Sequence, residues 1–307
     1  MGSWPTTVSR DIVKRTLRAF QSTVPYRFLE RCLHPADYPR EPVLLEDCYG
    51  IQFMRQPWEH QPVRELVAHA VDRPQFELMS WLIRPGDMVF DVGAHLGFFA
   101  VYASRLVAPG GTVYAFEPVP ETHQRLVQTL SLNRSENVVA MPTAICDQVG
   151  QRPMNLFAPT FSAWNSLGTP VMKAPDGRRL APTTAISVPT GTLDQFTTDQ
   201  NVAKINFLKL DVEGFEKQAL GGARRLLQER RIDFICFEIS QAPLRGAGVR
   251  AREVFDLLAS HGYRAWSFDA KQCQLNGPVR DSTEEWTNYL ATWKEPADFQ
   301  NDRQPNP

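Results

Sequence analysis

The sequence predicts an α/β fold, a doubly wound and mostly parallel sheet. Three observations predict it. From residue 76 onward, short apolar strands alternate with helical stretches of about 10–15 residues, the rhythm of βαβ units. The first of these strands runs into a glycine-bearing turn, VFDVGAHLG. Strand after strand also closes on an acid: Asp91, Glu117, Asp211 and Glu238, with Asp147 just past another. Ligands of open α/β sheets bind beyond the carboxyl ends of the strands, so these acids should share one rim.

The elements follow in order. FELMSWLI (76–83) reads as a helix and RPGD as a turn. MVFDVG is a strand, and HLGFFAVYASRLVAPGG a helix stopped by Pro109, Gly110 and Gly111. TVYAFEP is a second strand, PETHQRLVQTLSLN a helix with Leu126 and Leu130 four apart, and VVAMPTAI a third strand. Residues 151–192 break the rhythm. They are rich in Pro, Gly, Ser and Thr with short alternating pieces, MNLF and AISV, and a β-hairpin insertion is expected there. INFLKLDVEG resumes the pattern, followed by FEKQALGGARRLLQER (helix), DFICFEIS (strand), VRAREVFDLLASHG (helix) and YRAWSF (strand). NYLATW is the last apolar stretch before a polar tail, residues 299–307.

Composition excludes several classes. The 307 residues carry a net charge of −1, which gives no electrostatic basis for nucleic acid or anionic membrane. The five cysteines are scattered without a C-x-x-C pair, against a disulfide framework or zinc site and in keeping with a cytoplasmic location. No apolar run reaches the roughly 18 residues of a membrane span. MGSWPT matches the short myristoylation pattern, and residues 8–31 hold six Lys/Arg against two acids. A membrane-surface helix or transit peptide is one reading of that segment; a helix packed on its own domain is the preferred one. Residues 1–75 as a whole read as an N-terminal cap of helices and loops ahead of a domain spanning 76–298.

The turn after the first strand suggests the ligand. Gly93 and Gly97 allow close approach of the backbone, and Glu117 lies 20 residues after Gly97, where a nucleotide-binding unit places an acid on the ribose hydroxyls. A dinucleotide fingerprint has G-x-G-x-x-G and a pyrophosphate on the helix N-terminus. Here the spacing is D-x-G-x-x-x-G, and the Asp91 carboxylate suits the cationic amino-acid portion of S-adenosylmethionine better than a pyrophosphate. Asp147 is a candidate for the adenine amino group, or simply a turn aspartate before Gly150.

VFDVGAHLGFFA, VYAFEPVPE, TLSLN, TLDQF and LKLDVEGFEKQALGGA together resemble the FkbM family of S-adenosylmethionine-dependent methyltransferases, over roughly residues 77–238. The resemblance implies a Rossmann-like methyltransferase sheet, mostly parallel with a reversed last strand, and methyl transfer to a hydroxyl oxygen of a polyketide, sugar or related small molecule. It implies cofactor contacts by Asp91, Gly93, Gly97, Glu117 and Asp147, with the adjoining Ala94, His95 and Pro118. His95 departs from the Asn usual in the family, so its side chain is either a loop residue or a catalytic base. An NAD-dependent oxidoreductase on a related fold and a non-catalytic relative are the competing readings.

FLKLDVEGFE (207–216) completes the set. Alternation sends Phe207, Lys209, Asp211 and Glu213 to one side and Leu208, Leu210 and Val212 to the other. Lys209 is too costly to bury unpaired, so Asp211 or Glu238 should stand beside it. Glu216 falls in the first turn of a helix, a structural place for an acid. Asp211 and Glu213, helped by Glu238, are the candidate catalytic carboxylates for orienting and deprotonating the acceptor. No metal is expected, although Asp211 and Glu238 on adjacent strand ends would suit a shared Mg²⁺. Phe157, Phe161, Trp164, Asn165 and Ser166 are candidates for an acceptor wall.

Overall fold

The computed structural model describes residues 41–57, 73–173, 177, 179–269 and 274–297. The basic segment 8–31, most of the expected N-terminal cap and the polar tail lie outside these residues.

Eight strands form one sheet. In chain order they are β3 (Met88–Val92), β4 (Thr112–Phe116), β5 (Val138–Met141), β11 (Ile205–Leu210), β12 (Ile232–Ser240), β13 (Arg264–Asp269), β14 (Gln274–Val279) and β15 (Trp286–Thr292). Their spatial order is β14-β13-β15-β12-β11-β3-β4-β5. β5, β4, β3, β11 and β12 are mutually parallel, and β15 enters antiparallel between β12 and β13. This is the doubly wound sheet with a reversed last strand. The order reverses between β3 and β11, the switch point where ligands of such sheets bind.

Helices cover both faces. On one lie α1 (73–82), α2 (Phe98–Val107) and α3 (Pro120–Leu132), packed through Met79, Val101 and Leu126 against Val89, Phe207 and Phe234. On the other lie α4 (Leu193–Asp199), α5 (Glu216–Gly221), α6 (Arg224–Gln228), α7 (Gln241–Gly246) and α8 (Ala251–Ser260), packed against Phe90, Leu208, Leu210 and Ile235. Both side-chain sets of β11 are therefore core, and Phe207 is buried as deeply as Leu208 and Leu210.

Four local expectations change. FEKQALGGARRLLQER is two short helices, α5 and α6, parted where Gly222 and Ala223 leave helical geometry at φ/ψ −82/1° and −117/20°. VVAMPTAI divides into β5 and β6 (Ala144–Ile145), and β6 leaves the main sheet to pair with β10 (Thr184–Gly191). Residues 274–279 form an edge strand that strand-pattern reading passes over, since Gly277 and Pro278 dilute its β character. The N-terminal region contributes a hairpin, β1 (Val43–Glu46) with β2 (Gln52–Arg55), where helices and loops were expected. Ile51 and Phe53 of this region are buried, and Asn133 at the end of α3 bonds both the N–H and the carbonyl of Gln52. The packed unit thus begins upstream of residue 76.

The expected insertion is present. β7 (Gly150–Leu156) and β10 form an antiparallel hairpin, with a short ribbon, β8 (Met172–Lys173) and β9 (Arg179–Leu180), and a 3₁₀ turn over Pro159–Trp164.

Candidate active site

The site begins as a row of side chains across three strands. Strand register sets Lys209 of β11 beside Asp91 of β3 and Cys236 of β12. One pleat further toward the rim come Gly93, Asp211 and Glu238. Lys209 is 3% exposed. Removing an ammonium from water costs several kcal/mol unless it is paired, and Asp211 supplies the pair at 2.8 Å. The Lys209 ammonium also lies 4.3 Å from the centre of the Phe99 ring, a cation–π contact. Burial alone would lower its pKa, but the Asp211 and Asp91 carboxylates outweigh that and hold it above the ordinary lysine range. Asp91 is 1% exposed, and neither of its oxygens has a hydrogen-bond partner among the described residues. Burial pushes its pKa up to about 6, with Lys209 pulling the other way.

Above this row the turn 93–97 is shaped by close packing. Gly93 has φ 86°, and a Cβ there would sit 1.8 Å from the Asp211 carbonyl oxygen. Gly97, at φ 87°, would drive a Cβ to 2.5 Å from Leu126 of α3. Gly93 is thus required by chain-to-chain approach, where a side chain collides with protein before it reaches any ligand, and Gly97 by its left-handed backbone. His95 is left-handed at φ 48°. Asn and His are among the few non-glycine residues that tolerate this region, which explains how His95 keeps the turn. Its N–H donates to Glu117 Oε2 at 3.1 Å, and its Nε2 lies 3.0 Å from Ser162 Oγ in the insertion. Burial, then repulsion from Arg125, lowers its pKa to about 4, so the ring is neutral at pH 7.

Glu117 ends β4. Its two oxygens accept from the His95 and Val119 N–H groups, at 3.1 and 2.9 Å. Burial pushes its pKa up to about 7, against the pull of those two amides.

Gly93, His95, Glu117 and Pro118 line a cleft, together with Asp211, Val212 and Glu213 from the β11 rim and Ser162, Ala163 and Asn165 from the insertion. Asp91, Ala94 and Gly97 lie outside this lining and support it from behind. Asp147 is not brought to it either: it is exposed and ion-paired to Arg152 at 3.0 Å.

The segment after β11 carries the acids. Glu213 adopts φ 50° and Gly214 φ 97°, and a Cβ on Gly214 would meet the Pro243 carbonyl at 2.4 Å. Left-handed backbone at a non-glycine residue is a form of stored strain concentrated at functional sites. Ser166 Oγ donates to the Glu213 carbonyl at 2.6 Å and holds this turn against the insertion. Glu216 has the expected structural role: Oε1 accepts from the Val212 and Gly214 N–H groups. Candidate ligand atoms of Asp211, Glu213 and Glu238 all lie within 4.8 Å of one another. Burial, then the charge of Asp211, raises the pKa of Glu213 and of Glu238 well above the ordinary carboxylate range.

Beyond these acids a second, wider cavity opens. Glu213 lines both spaces, and Glu238 lines only the second. Trp164, Lys173, Arg245 and Trp286 form much of its remaining wall. Trp164 was expected in a wall; Arg245, Lys173 and Trp286 were not. One rule would have found Trp286: a reversed strand starts at the rim where its parallel neighbours end.

The strand order and the cleft at the switch point define a Rossmann-like methyltransferase fold. The chain belongs to the FkbM methyltransferase family: residues 91–265, more than half of it, match the Methyltransferase FkbM domain. It is 31% identical over 159 residues to the 31-O-demethyl-FK506 methyltransferase FkbM of Streptomyces tacrolimicus, covering 46% of this chain and 60% of that protein. It is 28% identical over 173 residues to the hexuronic acid methyltransferase AglP of Haloferax volcanii, covering 56% and 62%. With the 2-O-methyltransferase NoeI of Sinorhizobium fredii it shares 25% identity over 189 residues, covering 60% and 76%. The match thus spans about 60% of the length of the first two relatives.

Proposed function

We propose that this chain is an S-adenosylmethionine-dependent O-methyltransferase acting on a hydroxyl of a small molecule. The observation that carries the reading is the position of Glu213, shared by two cavities at a cluster of three carboxylates. One cavity suits a cofactor and the other an acceptor, and transfer needs both to meet at one point. The names of the three relatives, two of which specify an oxygen position, support an oxygen acceptor.

The residues fit the cofactor. Glu117 spends one lone pair of each oxygen on an amide and keeps the others for ribose hydroxyls. Asp211, with its partner Lys209 behind it, gives the cleft a carboxylate for a cationic group. When bound, the cofactor supplies an electrophilic methyl on a sulfonium. The protein's part is to orient the acceptor oxygen in line and to take its proton. Glu213 and Glu238 are suited to that, because burial and the neighbouring charge raise their pKa values above the ordinary carboxylate range, and a more basic carboxylate takes a proton more readily. Asp211, Glu213 and Glu238 also have the geometry for a Mg²⁺ ion; the reading without metal expects turnover to persist in EDTA. The remaining readings are that residues 76–298 are the catalytic domain with residues 151–192 as its insertion, that Asp147 still reaches the adenine amino group from its pair with Arg152, and that the protein is cytoplasmic, which the free thiols Cys48, Cys146 and Cys236 support.

Calorimetric titration tests the reading. S-adenosylmethionine and S-adenosylhomocysteine should each give a saturable one-site isotherm, and NAD none. Binding of NAD in place of the other two would overturn the proposal in favour of an oxidoreductase.

A further inference from the structure

We propose that the second cavity is an acceptor subsite for a sugar-like ring bearing an anionic substituent, with Arg245 and Lys173 holding the anion and Trp164 and Trp286 the ring. The inference rests on the methyltransferase reading and adds the acceptor's chemical class.

The walls come from three places. The insertion brings Trp164 and Lys173, α7 brings Arg245, and the start of β15 brings Trp286. Their relative position is fixed by backbone: Thr169 N–H donates to the Gly246 carbonyl at 3.1 Å, and a Cβ on Gly246 would meet Pro170 N at 2.5 Å. Trp286 is 42% exposed, one of the few large apolar side chains so open to solvent. Phe161 stacks on Trp164 at 4.9 Å and 9°, which holds that indole in one orientation. The exposed indole shares the cavity with apolar Val171, Met172 and Ala242 as well as polar Ser240, Arg245 and Glu285, a mixed lining suited to a ligand with one C–H face and several hydroxyls. A flat hydrocarbon acceptor would leave the polar walls unsatisfied.

The charges add a direction. Arg245 and Lys173 are exposed and form no ion pair among the described residues, although Glu285 lines the same cavity. Neither cation lines the cofactor cleft, whereas Glu213 lines both spaces. An anionic substituent is repelled from the carboxylates at the transfer point and attracted to the cations. A guanidinium binds carboxylate or phosphate through paired N–H donors. The hydroxyl that reaches Glu213 and Glu238 is then fixed by its distance from the anion, which gives selectivity among ring positions.

The test uses the full chain saturated with S-adenosylhomocysteine, titrated with methyl β-glucuronide, glucose 6-phosphate and methyl β-glucoside, with tryptophan fluorescence as the readout. At least one anionic probe should bind about tenfold or more tighter than the neutral glucoside, and which one does identifies carboxylate or phosphate. The preference should shrink in both Arg245→Gln and Lys173→Gln, and Trp286→Ala should weaken all three probes. Equal affinity for the three sugars, no response to any of them, or a preference that survives both charge substitutions would overturn the inference. Calorimetry with S-adenosylhomocysteine on the same samples separates this failure from failure of the methyltransferase reading, which would show as loss of cofactor binding.

Discussion

The cofactor cleft and the second cavity share Glu213 but are built in opposite ways. Much of the cleft comes from two consecutive strand–turn–helix units, where close backbone packing dictates the residues: Gly93 against the Asp211 carbonyl, His95 in the left-handed region, Glu117 bonded to two amides. The second cavity gathers side chains from residues 164 to 286, and apart from the acids none is demanded by the backbone around it. Where the backbone sets the residue, a change should cost folding or cofactor binding. Where only the ligand sets it, a change should cost selectivity and leave the fold intact.

The largest break in that comparison is expected beneath both cavities. Lys209→Met removes the one cation of the Asp91–Lys209–Asp211 row. Leaving buried carboxylates without their partner should destabilise the protein by about 3–5 kcal/mol, read as a fall in the denaturation midpoint. A change well under 1 kcal/mol would mean that the Lys209–Asp211 pair adds little to the stability of the fold.

A smaller effect is expected at Glu117. Glu117→Ala should weaken S-adenosylmethionine binding by about 2–3 kcal/mol, with the fold retained. The pH dependence sharpens this. Burial raises the folded pKa of Glu117 from 4.5 to about 7. Between those values the folded state holds more protons than the unfolded one, so this group's contribution to stability of the free protein declines as pH rises through that window. Ribose hydroxyls donate best to the ionised carboxylate, so cofactor affinity should rise as pH passes 7. That slope should vanish in Glu117→Gln, and a slope unchanged in the variant would assign it to another group.

The cleft was readable in the sequence because its signals are local. D-x-G-x-x-x-G, the spacing to Glu117 and the alternation of FLKLDVEGFE each lie within one or two units, and strand alternation alone places Lys209 beside a carboxylate. Ligand clearance is not the first reason for Gly93, since the approach of the chain after β11 to this turn is a tertiary fact. Asp147 has the right place in the sequence, and in the structure one of its oxygens pairs with Arg152 five residues on, a contact the spacing does not announce. The second cavity stayed hidden for the complementary reason: Lys173, Arg245 and Trp286 share no spacing, and only the strand order brings them together. The hairpin β1–β2 was missed because its strands are only four residues long, too short for alternation to show.

Glu213 joins the two regions, and its role is tested most directly by comparing turnover and S-adenosylmethionine affinity in Glu213→Gln with the unmodified protein. The substitution keeps the side chain's shape and removes its capacity to take a proton. Turnover should fall by about a hundredfold or more while cofactor affinity stays within about threefold. Full turnover in the variant, or loss of the folded state, would contradict the account and leave the carboxylate cluster as a purely structural feature.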